Sequence, residues 1–218
     1  MIPPLLRLYE DILPNDTTVT LHLPQLARMI FVAHGSVSIG GKTVSDGEAW
    51  HGEGATTLTP GETGATCWRF ELVRGEAPNP MLGPDVRSIE KLSARLETLP
   101  KGELLMRGDS VGFPPGGCAY LHRHQGPGIR CLIDGGIRID THGRSTSYGP
   151  GGAWYESGPD AVFAQAAADK PSRFIRVMIL PRALIGKSSI QYVNEDDKAK
   201  PKSQQYKIFV DAPIAFAG

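Results

Sequence analysis

No apolar run in this chain of 218 residues approaches the roughly 20 residues that would cross a bilayer as a helix. The stretch Met1-Ile2-Pro3-Pro4-Leu5-Leu6 also lacks a basic start followed by a long apolar segment. A soluble, cytoplasmic protein without a membrane partner is therefore expected. Charge of one sign is equally scarce. Lys plus Arg and Asp plus Glu number 23 each, and no long single-sign block occurs, which argues against nucleic acid as a partner. A small-molecule or protein partner is the better default. Cysteine is limited to Cys67, Cys118 and Cys131, none in C-x-x-C spacing, which argues against a structural zinc site and a disulfide framework. Reduced thiols are expected.

Turn residues, by contrast, are plentiful. The 26 Gly and 18 Pro fall between short apolar or alternating runs, the pattern of many short strands joined by turns, so the predicted class is all-β. In the first part of the chain strands are predicted at 19–21, 29–33, 37–39 and 66–73, with Gly40-Gly41 as a hairpin turn. In the second they are predicted at 103–106, 119–124, 129–133, 137–140, 153–155, 162–165 and 174–180. One helix is predicted between these sets: Asp85 can cap it, Val86, Ile89, Leu92, Leu96 and Leu99 fall near helical spacing, and Pro100 stops it. The charged stretch 194–205 reads as a solvated loop. Tyr206-Lys207-Ile208-Phe209-Val210 has strand composition and could join a sheet of its own chain or of a neighbouring subunit.

The two strand-rich parts echo one another. Leu21-His22-Leu23-Pro24-Gln25 precedes an apolar run ending at Gly35, and Leu121-His122-Arg123-His124-Gln125 precedes one ending at Gly135. Each run leads on to Gly-x-Ala-Trp, at Gly47-Glu48-Ala49-Trp50 and Gly151-Gly152-Ala153-Trp154. Self-similarity at a long period implies two related structural units. Their chemistry differs, because Pro24 stands where the second copy has His124.

Residues two apart on a strand share a face, so His122 and His124 present paired imidazoles, with Tyr120 on the same side. Neutral imidazole is a common ligand of zinc, iron, nickel, copper and manganese. The competing reading is a pair of solvated or hydrogen-bonded structural histidines.

The glycine framework around this pair resembles the cupin superfamily, and the duplication resembles its double-domain members, the bicupins. The first cupin motif, G-x5-H-x-H-x3-4-E-x6-G, is matched by Gly116 or Gly117, His122, His124 and Gly135. The resemblance implies two jelly-roll barrels and, in many members, a divalent metal held by three His and one Glu. The expected organisation is a degenerate barrel over 1–80, a linker with the helix over 81–101, a barrel carrying the His pair over 102–182, and a tail over 183–218. The resemblance also implies a homodimer.

Two of the four ligands are replaced. Counting back from Gly135, the motif's Glu falls on Gly128, and the second motif's His falls on Val162 or Phe163. Glu156 is the candidate substitute, and an exposed turn carboxylate is its alternative. If position 128 faces inward, strand alternation turns Arg130 and Leu132 inward too. A buried Arg needs a partner, either Glu156 or a carboxylate ligand. Gln125 either donates to a ligand or caps a turn. Trp50 and Trp154 are expected as equivalent core or pocket-wall aromatics.

These residues admit two functions. One is a metal-binding cupin, with His122, His124 and Glu156 on Fe, Mn, Ni or Zn and Arg130, Tyr120, Gln125 and Trp154 lining the substrate pocket. The resemblance implies oxygenase, isomerase or lyase chemistry on a small, anionic molecule. The other is a metabolite-binding or sensing barrel with a vestigial metal site.

Overall fold

The computed structural model describes residues 3–76 and 79–215. Apart from one 3-10 turn at Arg182–Leu184 and one helical turn at Asp196–Ala199, every regular element among the described residues is a strand. No helix among the described residues is long and apolar enough to cross a membrane. The chain divides into two compact units, the described residues up to Arg95 with Ile214 and Ala215, and Leu96–Pro213.

The first unit contains β1 (Leu5–Leu13), β2 (Leu21–Leu23), β3 (Ala27–Ile39), β4 (Lys42–Ser45), β5 (Ala49–Gly52), β6 (Thr56–Val73), β7 (Met81–Leu82) and β8 (Arg87–Arg95). They form one antiparallel sheet along β4-β3-β6-β1-β8, with β2 on β6, β7 on β2 and β5 on β3. Gly40 and Gly41 both take positive φ, at 57° and 78°, which is what the predicted two-residue hairpin turn between β3 and β4 requires. β3 bends where its register with β6 shifts around Gly35. Gly35 has φ 78°, and a Cβ there would lie 2.1 Å from Gly64 O, so only glycine fits.

The predicted helix is corrected to strand. Asp85 has φ 60°, outside the extended region an N-cap residue uses. Residues 87–95 instead pair with β1, from Ile12 opposite Arg87 to Leu5 opposite Arg95. The open edge of β1 satisfies their backbone groups, and Ile89, which a helical stripe would bury, is 48% exposed. The expected linker therefore belongs to the first sheet as far as Arg95.

The second unit contains β9 (Leu104–Phe113), β10 (Cys118–His124), β11 (Gly128–Asp134), β12 (Ile137–Thr141), β13 (Arg144–Tyr148), β14 (Ala153–Glu156), β15 (Val162–Ala166), β16 (Ser172–Pro181), β17 (Ile190–Tyr192) and β18 (Gln205–Ile214). They form two antiparallel sheets, β13-β12-β15-β10-β17 and β14-β11-β16-β9-β18. The tail is thus built in: β17 pairs with β10 and β18 with β9.

An apolar cluster joins the two sheets. Val111, Phe113, Leu132, Trp154 and Phe174 come from one, and Ala119, Ile137, Ile139, Val162, Ala164 and Ala166 from the other. Alternation along each strand aims these side chains inward, giving a two-sheet jelly-roll core. Several of the same residues also wall the cavity that holds His122 and His124.

Candidate metal centre

Two strands deliver the candidate ligands. His122 and His124 project from β10 and Glu156 from the end of β14; all three are buried, and one potential ligand atom from each lies within 4.8 Å of the others. The imidazoles meet edge to face, with ring centroids 4.9 Å apart.

Hydrogen bonds fix both rings. His122 Nδ1 lies 2.7 Å from Tyr120 O; a carbonyl only accepts, so Nδ1 carries the proton and Nε2 keeps its lone pair. His124 Nδ1 faces Ser189 Oγ at 3.3 Å, while Arg176 Nη1 lies 3.5 Å from Nε2. A guanidinium only donates, so this Nε2 is also the acceptor nitrogen. An outer hydrogen bond on one ring nitrogen with a lone pair on the other is the arrangement of metal-binding histidines. Burial lowers both pKa values; for His122 the Glu156 carboxylate opposes the shift, and for His124 Arg176 and Arg130 deepen it. The neutral form is favoured in both.

Cross-strand register places the charged groups. Asp109, Arg176, Arg130 and Trp154 follow one another across β9, β16, β11 and β14. The next inward rung sets Gly128 opposite Glu156. Arg176 donates Nε and Nη2 to Asp109 at 2.9 and 2.6 Å. Burial pulls the Arg176 pKa down, but the Asp109 carboxylate more than restores it. Trp154 Nε1 donates to Glu156 Oε1 at 2.9 Å, and Arg130 Nη1 donates to Gly128 O at 2.7 Å. Burial lowers Arg130 to about 10, against the pull of Glu156. Its Nη2 lies 2.8 Å from Glu156 Oε2, yet neither atom is aligned in a hydrogen bond.

This donor set fits a divalent metal. It offers the lone pair of His122 Nε2, that of His124 Nε2, which Arg176 Nη1 faces at 3.5 Å, and a buried carboxylate oxygen without a hydrogen bond, 3.8 Å from His124 Nε2. The enclosed space beside them is about 20 Å³, room for about one water-sized particle. Gly128, where the cupin motif carries Glu, admits no side chain, because a Cβ there would lie 2.4 Å from Val177 O. The carboxylate that lies here is that of its cross-strand neighbour, Glu156.

Arg130 and Trp154 line the same cavity. Tyr120 does not: the register with β15 shifts between Ala119 and His122, and its ring lies 5.0 and 5.4 Å from the ammonium groups of Lys200 and Lys202. Gln125 is also outside the cavity lining, its backbone N–H donating to Ser189 O at 3.2 Å. Sequence reasoning missed Asp109, Arg176, Ser189 and Gln204. For the first two a signal existed, since each is a charged side chain within a largely apolar strand.

No protein-family model matches this sequence, and no curated protein matches it. Solved structures do. An arginine-to-alanine variant of Bacillus subtilis oxalate decarboxylase is 13% identical, with TM-score 0.64 over 89% of this chain and 73% of that one. The formate complex of Lactobacillus farciminis oxalate decarboxylase, also 13% identical, has TM-score 0.64 over 89% and 82%. AerE from Microcystis aeruginosa, at 13% identity, has TM-score 0.57 over 80% and 88%. These are cupin-fold proteins, and at such identity the likeness establishes that this chain shares their fold.

Proposed function

We propose that the second unit is a metal-binding cupin barrel in which His122 Nε2, His124 Nε2 and Glu156 hold a divalent transition metal, and that it acts on a small anionic molecule. The observation that carries this is the convergence of two tautomer-fixed imidazoles and one buried carboxylate within 4.8 Å. Fe, Mn, Ni and Zn all accept such a nitrogen and oxygen set. A bound ion with open positions would polarise a coordinated oxygen of the substrate. Within the chain, Tyr120 O and Ser189 Oγ orient the rings, Trp154 orients Glu156, and Arg130 and Arg176 give the pocket its positive side.

The first unit supports a duplicated barrel with only one working site. Tyr9, Arg69, Ile30 and Trp50 form a rung matching Asp109, Arg176, Arg130 and Trp154. Gly35 and Gly135 both take positive φ and press against a neighbouring strand. Here, however, Arg28 and Arg69 are buried against Glu71 and Asp11 in a closed ion network. His22 is exposed and bonds Thr20 and Thr57.

A metal-free binding barrel is the second reading, favoured by the two buried guanidinium groups, which oppose a cation and attract an anion. Elemental analysis of tag-free protein separates the two. Near-stoichiometric metal in the wild type, absent from His122→Ala/His124→Ala, is expected. No metal in the wild type after titration with Mn, Fe, Ni and Zn would overturn the metal reading.

A further inference from the structure

Six buried side-chain atoms among the described residues lack a hydrogen-bond partner, and four of them line one cavity: Arg130 Nη2, Glu156 Oε2 and both amide atoms of Gln204. Gln204 belongs to the segment that runs from the helical turn at Asp196–Ala199 into β18. Two of its neighbours fasten that segment to the barrel beside the His strand. The Lys202 ammonium lies 4.5 Å from the Tyr192 ring centroid and 5.4 Å from that of Tyr120, and Ser203 Oγ donates to Cys118 O at 3.4 Å. The strap therefore sets the Gln204 amide in the same cavity as His122, His124, Glu156 and Arg130.

A buried amide with neither atom paired is costly to a folded chain, and such a group in a native protein calls for a strain, catalytic, water, ion or ligand explanation. We infer that Gln204 reads the ligand of this site, and that the ligand is a small 2-hydroxy carboxylate. This rests on the metal reading of Glu156. With Glu156 Oε2 on a metal, three open atoms remain: Arg130 Nη2 and Gln204 Nε2, which donate, and Gln204 Oε1, which accepts. Their complement is two acceptor oxygens bearing negative charge and one neighbouring hydroxyl. A simple carboxylate supplies the acceptors but leaves Oε1 unpaired. A hydroxyl beside the carboxylate completes the set.

The enclosed space alone is too small for such a ligand, which must reach outward. The enclosed space of about 20 Å³ adjoins a cavity of about 200 Å³, and His124, Arg176, Ile190 and Tyr206 line both. A ligand of several heavy atoms would extend from beneath Gln204 into the larger cavity. Tyr206, two residues along the strap, lines the passage on that side.

Calorimetric titration with glycolate and with acetate, on protein of measured metal content, tests this. Wild type should bind glycolate roughly tenfold or more tightly than acetate, the margin of a hydrogen bond to a group that otherwise stays unpaired. Gln204→Leu, which keeps the bulk and removes both polar atoms, should abolish that preference with metal content unchanged. The Gln204 side-chain NH2 resonance of isotope-labelled wild type should shift on adding glycolate, a readout that needs no variant to fold. Failure of wild type to prefer glycolate, an unmoved Gln204 resonance, or metal loss in a folded Gln204→Leu variant would each overturn the inference. If the protein proves metal-free yet keeps a Gln204-dependent preference, the metal reading falls and the role of Gln204 stands.

Discussion

Arg130 Nη2 and Glu156 Oε2 lie 2.8 Å apart inside the barrel, with side chains 1% and 7% exposed, and the approach is not aligned as a hydrogen bond. The contact is a charge contact, and the carboxylate oxygen stays open toward the histidines. Removing one member of a buried pair strands the other, which costs about 3–5 kcal/mol. Glu156→Ala should therefore destabilise metal-free protein by about that amount. The double variant Arg130→Met/Glu156→Leu should recover most of the loss, because no buried charge remains uncompensated. Urea unfolding of the three metal-free proteins checks this, and a double variant no more stable than Glu156→Ala would show that the two side chains are not coupled.

Metal should stabilise the second unit through the imidazole nitrogens. A ligand present at a hundred times its Kd adds about 2.7 kcal/mol to a native state that alone binds it. Melting temperature should rise on adding Mn or Zn to wild type and fall on adding a chelator. His122→Ala and His124→Ala should show little of either response. The same metal-induced shift in all three proteins would move the binding site elsewhere.

The thiols provide an independent check on burial. Cys67 and Cys131 are fully buried, and burial, with Asp11 adding to it, pushes the Cys67 pKa far up. The thiolate is the species that alkylates. Iodoacetamide followed by mass spectrometry should leave both unmodified in native protein and modify both in denaturant. Labelling of Cys67 in the native protein would contradict the packing of β6 against β1 and β3.

The His pair, the inward turn of Arg130 and the all-β class were legible because each follows from local alternation or from the turn-rich composition. What the sequence hid depends on partners distant along the chain. Residues 86–99 carry a spacing that suits a helix, and the open edge of β1 claims 87–95 as strand. Alternation sets Tyr120 beside His122, and the register shift after Ala119 turns it away. Gln204 sits in a polar stretch that reads as solvated, and only the path of the strap back to β10 brings it to the cavity. Glu156 was legible as a candidate but not as a certainty, because its place follows from pairing with Gly128.

That pairing yields the sharpest test of how the site was built. Position 128 is where the cupin motif puts a carboxylate, so restoring the motif with Gly128→Glu would be expected on sequence grounds to strengthen metal binding. The structure predicts the opposite. A Cβ there would lie 2.4 Å from Val177 O and 3.0 Å from Met178 Cα, backbone atoms of a central strand that cannot give way without breaking the pairing of β11 with β16. Even Gly128→Ala should destabilise the protein, by about 1–3 kcal/mol as overpacking typically does, and Gly128→Glu should do so further by adding a second buried carboxylate beside Glu156. Circular dichroism melts and elemental analysis of the two variants decide the matter. A stable Gly128→Glu protein with raised metal content would mean that β11 and β16 are not packed as described, and that Glu156 is not the carboxylate of the site.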